Sequence, residues 1–416
     1  MKKLLLILFC LPIIGYGQSW TQTFDNNNND DIGRCVQQTV DEGYIIMYQS
    51  EDHSSGICNT YLIKTDENGM QEWIQNFDTT YYEWFGRCVY QTADSGYICS
   101  TSRYNGINLV KTDQNGIQQW IQNFGNSVYV AKSIQQTSDG GYVICAMIEN
   151  DYGTDSMCII KTDGSGVQQW NQKFIGGYSS GLYSIQEVIG GGYVVCGTIS
   201  NDPFGWDIWL IRTDAQGNTL WNKTYDDGGH EWGHSVEQTS DGGYIITGSS
   251  DGDVWLIKAD NLGNQQWSNT FGDFLDDVGY CVRETSDGGY IITGYKENFS
   301  TGGDVYLIKT DSQGNSAWEQ TFDGSSYDEG WYVEQTIDGG YIIAGFRYVG
   351  NNNNDVWLIK TDGNGNITST FNIPDPNTNK KIHKVTDLLG REIKQTNQPL
   401  FYIYDDGTVE KKIIIE

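Results

Sequence analysis

Histidine is scarce in this 416-residue chain, at 4, and proline nearly as scarce, at 5. Lysine and arginine together number 25 against 54 aspartates and glutamates, a formal net charge of −29. That shortage of positive charge excludes a nucleic-acid partner, because holding a phosphate backbone takes a basic face. It equally disfavours an anionic membrane surface. Long apolar runs are missing too. The longest, Leu4 to Ile14, is broken by Pro12 and falls short of the roughly 20 residues a membrane helix needs. No membrane span is therefore expected in the mature chain. No segment carries a 3.6-residue apolar period, which argues against helices. No Cys-x-x-Cys pair occurs among the nine cysteines, so a thiolate zinc site is not expected.

The N-terminus has a clear order. Met1-Lys2-Lys3 precedes the apolar run, and Gly15-Tyr16-Gly17 places small residues at −3 and −1 of a cut before Gln18. Residues 1–17 are thus expected to be a secretory signal peptide. Export would permit disulfides, yet the remaining cysteines form no repeated pair. Cys35, Cys88 and Cys281 share one repeat position, where Ser133, Ser184, Ser235 and Tyr332 stand in the other repeats. Small buried residues are the simpler reading.

Glycine, at 51, and tyrosine, at 27, are abundant, and both belong to a repeat. Three marks recur in fixed order. The first is a turn closing on tyrosine, as in Asp241-Gly242-Gly243-Tyr244, found at Tyr44, Tyr97, Tyr142, Tyr193, Tyr244, Tyr290 and Tyr341. The second is an apolar pair running into Lys64, Lys111, Lys161, Arg212, Lys258, Lys309 or Lys360. The third is a tryptophan: Trp73, Trp120, Trp170, Trp221, Trp267 and Trp318. Each unit divides into four short strands, A to D, of β-branched and aromatic residues bounded by Gly/Asp/Asn turns. Four strands per unit of this length predict an all-β, seven-bladed β-propeller over residues 18–371.

The third mark occurs one time too few. After Lys360 no tryptophan follows, whereas Trp20-Thr21-Gln22-Thr23-Phe24 carries the missing pattern with no strands before it. The N-terminal strand is expected to complete the last blade, with Ile367 to Phe371 as its rival for that slot. Such closure removes the open edges that invite aggregation.

At Lys309-Thr310-Asp311-Ser312-Gln313-Gly314-Asn315-Ser316-Ala317-Trp318 the repeat resembles the tryptophan-docking repeat of quinoprotein-type propellers. The resemblance implies the fold. The catalytic acids, metal and adjacent cysteines of the quinoprotein enzymes have no match here, so no cofactor is expected. Residues 372–380, with Pro374-Asp375-Pro376, form a linker, and residues 381–416 make a small segment of strands. There Asp387-Leu388-Leu389-Gly390-Arg391-Glu392, Tyr402-Ile403-Tyr404-Asp405-Asp406-Gly407 and Lys411-Lys412 resemble the C-terminal sorting domain of type IX secretion cargo. This resemblance implies type IX secretion machinery as a partner, and an extracellular or cell-surface location.

Loop lengths separate two faces. From the basic residue to the tryptophan is always nine (73−64 through 318−309), whereas tyrosine to basic residue varies from 14 (111−97) to 20 (64−44). The variable B–C and D–A loops share one face, the better place for a ligand. Trp84, Trp206, Trp232 and Trp331, with Glu83, Glu231, Asp277 and Asp328, are the candidate binding residues, since rings beside carboxylates can stack on sugars and bond their hydroxyls. The same residues read as turn caps and packing between blades, because Asp/Glu-x-Gly precedes several A strands. So acidic a chain offers no selectable glycosidase pair. The expected function is ligand binding, of a glycan or a protein, without catalysis. The alternative is a polysaccharide hydrolase or a lectin-like propeller using the variable face.

Overall fold

Each tyrosine turn opens a four-stranded antiparallel meander, and the meanders close into a ring. The computed structural model describes residues 19–26, 29–80, 88–103, 106–125, 129–148, 156–174, 176–177, 179–202, 205–300, 302–324, 326–350, 353–367, 382–386, 400–404 and 409–412. Residues 1–18, Glu83, Trp84, residues 368–371 and most of the C-terminal segment lie outside the described residues. Among the described residues there are seven four-stranded sheets, one three-stranded sheet and no helix. Blade 1 takes strands A to D from Asp30–Gln38, Tyr44–Asp52, Ile57–Thr65 and Gln71–Thr80, and five further blades repeat that order. Blade 7 takes A to C from Asp328–Gln335, Tyr341–Gly350 and Asn353–Thr361, and its outer strand is Trp20–Phe24. Trp20 lies opposite Lys360 and Phe24 opposite Val356, so the two ends of the ring are hydrogen-bonded together.

The repeat marks explain themselves once folded. In the A–B turn of blade 1 the Asp41 carboxylate accepts from the Thr39 hydroxyl and the Gly43 N–H, and it pairs at 2.9 Å with buried Lys64 from strand C. Five other blades repeat the pair, as Lys258–Asp241 at 2.9 Å and Lys360–Asp338 at 2.9 Å illustrate. Blade 4 has Gly190 in place of the aspartate, and there Arg212 bonds the Gly191 carbonyl instead. The acid and the base thus depart together. Within the turn, the first of the paired residues has positive φ, tolerated by Glu42 at 68° and Ser95 at 66°. The second must be glycine: a Cβ on Gly43 would sit 2.2 Å from the Thr65 carbonyl oxygen.

Tryptophan joins neighbouring blades. Trp20 meets Tyr44 of blade 1 edge-on at 5.7 Å, and its six counterparts meet their tyrosines edge-on or tilted at 5.7 to 5.9 Å, through Trp318 on Tyr341 at 5.8 Å. Each indole also lies over a C–D turn glycine of the next blade. A Cβ on Gly69 would come within 2.5 Å of the Trp20 ring, and the residue's φ of 76° is itself glycine's. Toward the axis, strand A of every blade contacts strand A of the next. A side-chain oxygen near the end of each A strand accepts a backbone N–H of a neighbouring blade's turn; Val40 N–H to Gln91 and Ile337 N–H to Gln38, both 2.9 Å, are two of seven such bonds.

A second compact unit spans Thr370–Glu416. Its described strands, Ile382–Thr386, Leu400–Tyr404 and Val409–Lys412, form an antiparallel three-stranded sheet in that order.

Candidate binding site in the central channel

Inner strands that follow simple alternation would point every second side chain along the axis. Here they do more. In six described blades the pairing of strands A and B skips one A-strand residue: Arg34, Lys132, Tyr183, His234, Tyr280 and Trp331. Each is the extra residue of a β-bulge, a device that re-aims a side chain. All six line one central cavity of about 430 Å³.

These residues form a continuous collar. Arg34 lies over the Trp331 ring at 4.5 Å, and Trp331 stacks on Tyr280 with centroids 4.3 Å apart and planes within 8°. Tyr280 meets His234 edge-on at 5.3 Å, His234 meets Tyr183 at 5.4 Å, and Lys132 stands 5.6 Å over Tyr183. The Arg34 Nε also donates to Gln49 Oε1 at 3.0 Å, which ties the guanidinium down beside the indole. Arg87 occupies the equivalent sequence position in blade 2 and lies outside the described residues. Although acids outnumber bases two to one in the chain, neither the six bulge residues nor Arg87 is an acid.

One turn further along the channel the character changes. Gln37, Gln135, Gln186, Glu237 and Glu334 each accept the N–H of the next blade's A strand, at 2.5 to 3.0 Å. Blade 6 has Arg283 there, lying over Tyr332 at 4.8 Å and donating to the Val282 carbonyl at 2.7 Å. Burial pushes the Glu334 carboxyl up to about 7, against the Gln38 N–H and the Arg283 charge. Burial raises Glu237 as well, with Arg283 opposing. Thiols in the channel wall are no nucleophiles: burial raises Cys281, whose Sγ faces the Val333 carbonyl at 3.7 Å, and drives Cys35 well above its ordinary value. All eight described cysteines are buried and none is in a disulfide. His230-Glu231-Trp232-Gly233-His234 has the spacing of a zinc-protease helix, yet Glu231–Gln238 is a strand. Four residues of extended chain set the two histidines about 13 Å apart along it, where a helix would bring them to one face.

The residues singled out from sequence are distributed differently. Trp331 belongs to the collar. Trp206 and Trp232 stack on one another at 4.9 Å where blades 4 and 5 meet. Glu231, Asp277 and Asp328 begin their A strands and are fully buried. Asp277 accepts the Asp273 and Glu297 N–H groups at 3.1 and 3.0 Å, Asp328 those of Gly324 and Tyr348 at 2.6 and 2.9 Å, and Glu231 that of Gly229 at 3.0 Å. Burial pushes Asp277 and Asp328 up to about 6. Glu83 and Trp84 lie outside the described residues. The other five collar residues escape a reading by loop length because they sit inside a strand. A column count finds them: each stands ten before its tyrosine (44−34, 142−132, 193−183, 244−234, 290−280).

Among solved structures, puromycin hydrolase is similar to this chain, with a TM-score of 0.54 and 10% identity over 93% of this chain. The chain spans 61% of that enzyme's length. The likeness is one of fold. A protein of unknown function from Bacteroides caccae matches 71% of this chain, with TM-score 0.45 and 10% identity. Another of unknown function, from Dyadobacter fermentans, matches 82% with TM-score 0.47 and 10% identity. No protein-family model and no curated protein matches the chain.

Proposed function

We propose that this propeller is a non-catalytic binding protein whose channel collar holds an acidic saccharide. The observation that carries the reading is the bulge ring: seven blades of one repeat diverge at this position, and every divergence is cationic or aromatic. Cations in a chain of charge −29 make a local well for an anion, strengthened by the partly desolvated channel. Rings offer stacking faces to the apolar side of a sugar. The glutamates and glutamines beyond the collar would accept from sugar hydroxyls.

The test is calorimetric titration of the mature protein with an oligogalacturonate and with a neutral glucose oligomer of equal length. The acidic sugar should bind and the neutral one should not. Trp331→Ala and Lys132→Ala should each raise Kd about tenfold or more, as loss of a stacking face or a partly buried charge does at a hot spot. Absence of uronate binding, or binding indifferent to both substitutions, would remove this function.

The same reading places the protein outside the cell. The leader of residues 1–17 and the resemblance of residues 381–416 to type IX sorting domains support export by that machinery to the surface or medium.

A further inference from the structure

Where blades meet on the B–C and D–A loop side, carboxylates recur in threes. One is five residues before the strand C basic residue, one follows the end of strand D, and one stands thirteen before the tyrosine. Between blades 4 and 5 these are Asp207, Asp226 and Glu231, and between blades 6 and 7 Asp304, Asp323 and Asp328. In each set one oxygen from every residue lies within 4.8 Å of the others. Between blades 5 and 6 Asp253 and Asp277 hold the outer two positions, with Gly272 at the middle one and Asp273 beside it, and between blades 7 and 1 the sequence gives Asp355, Asp25 and Asp31. The remaining junctions differ. That of blades 1 and 2 has Asn59, Asp78 and Trp84, with one acid, that of blades 2 and 3 has Gly106, Gly125 and Tyr129, and the next has Ser156, Ile175 and Ser180, with none.

Three carboxylates this close need a positive charge or protons among them. Two junctions carry their own cation, six residues after the strand B tyrosine. Lys296 reaches Asp273 at 3.3 Å, and Arg347 donates to the Gly324 carbonyl at 3.3 Å while its charge acts on Asp328. At these two junctions both oxygens of the strand A acid have N–H donors. The other two junctions have Ser250 and Ser50 at that position. There the strand A acid is fully buried, and one oxygen, Oε2 of Glu231 or Oδ1 of Asp31, has no hydrogen-bond partner. The missing cation and the unsatisfied oxygen occur at the same two places.

We infer that the junction of blades 4 and 5 binds a calcium ion, held by Asp207, Asp226 and Glu231, where the buried unsatisfied oxygen belongs to a set of three carboxylates within 4.8 Å of one another. The donors are all carboxylate oxygens, which suit a hard cation. The exposed Asp226 leaves room for water in the remaining positions. Calcium tolerates such an irregular oxygen set better than magnesium, which demands a near-ideal octahedron. The site would staple neighbouring blades.

The experiment titrates calcium alone into the chelator-treated mature protein, with magnesium as comparison, following ion stoichiometry and melting temperature. One calcium ion should bind per chain and raise the melting temperature, as any ligand of the folded state does, with magnesium much less effective. Glu231→Gln should abolish that binding. Asp226→Asn, at an exposed position, serves if Glu231→Gln does not fold. Arg347→Ser should add a second ion at the junction of blades 6 and 7. A protein that binds no calcium, or a Glu231 or Asp226 variant that binds it as the parent does, would overturn the assignment.

Discussion

Glu334 stands where blades 1, 3 and 4 have Gln37, Gln135 and Gln186, and it accepts the same N–H of the following blade as they do. A glutamine does this at any pH, whereas the glutamate must also keep or lose a proton. Burial pushes its carboxyl up to about 7, above the ordinary value near 4.3 of an unfolded chain. Between those values the folded state holds a proton that the unfolded state has released. Stability from this group is therefore full below about pH 4 and falls as pH rises through 7. Glu334→Gln should stabilise the protein at pH 8 by on the order of 1–2 kcal/mol, discounted for the side chain's partial exposure, and leave it unchanged at pH 4. Urea denaturation of both proteins at the two pH values measures this. An equal effect at pH 4 would mean that packing, and not the proton, distinguishes them. At this scale the sequence was informative about turns and less so about the collar. Asp41 and Gly43 recur at fixed spacing before Tyr44 and its counterparts, and Lys64 recurs nine before a tryptophan, so chemistry and spacing coincide. The collar residues share a column but no residue type, and alternation along a strand does not reveal a bulge.

Among the strands, Trp20–Phe24 has the strongest consequence, because it is far in sequence from the blade it completes. Trp20 is 4% exposed, meets Tyr44 edge-on and donates from Nε1 to the Glu67 carbonyl at 3.3 Å. Trp20→Ala should cost about 3–5 kcal/mol, the usual penalty for emptying a buried tryptophan site. It should cost at least as much as Trp267→Ala, whose indole is only partly buried in the equivalent place. Chemical denaturation of the two variants compares them directly. A Trp20→Ala protein as stable as the parent would show that the ring does not depend on this strand. Deleting residues 18–25 goes further: it uncovers the edge of Asn353–Thr361, and aggregation on heating is the expected result. The strand was legible in the sequence only through a mismatch of counts, seven turns and seven basic residues against six tryptophans after them.

For the molecule as a whole, the propeller is complete without the C-terminal unit, since its last blade borrows its outer strand from the N-terminus. A chain ending at Phe371 should therefore melt as the full-length protein does. If residues 381–416 are a type IX sorting address, it should also fail to reach the cell surface, which fractionation of cells and medium would detect. Normal export of the shortened chain would exclude that role. What the sequence by itself determined is whatever repeats: the seven blades, their four strands, the A–B and C–D turns and the ring closure. The blades, strands and turns follow from short-range rules of turn chemistry and alternation, applied seven times, and the ring closure follows from the one tryptophan strand that the count leaves over. Tertiary structure alone decided where the divergent residues meet. Trp331 from one blade and Arg34 from the next touch because closure makes them neighbours. Glu231 joins Asp207 and Asp226 because a blade boundary folds three separate strand ends together. Nothing local to any one of these residues encodes such meetings, which depend on the radius and closure of the whole ring.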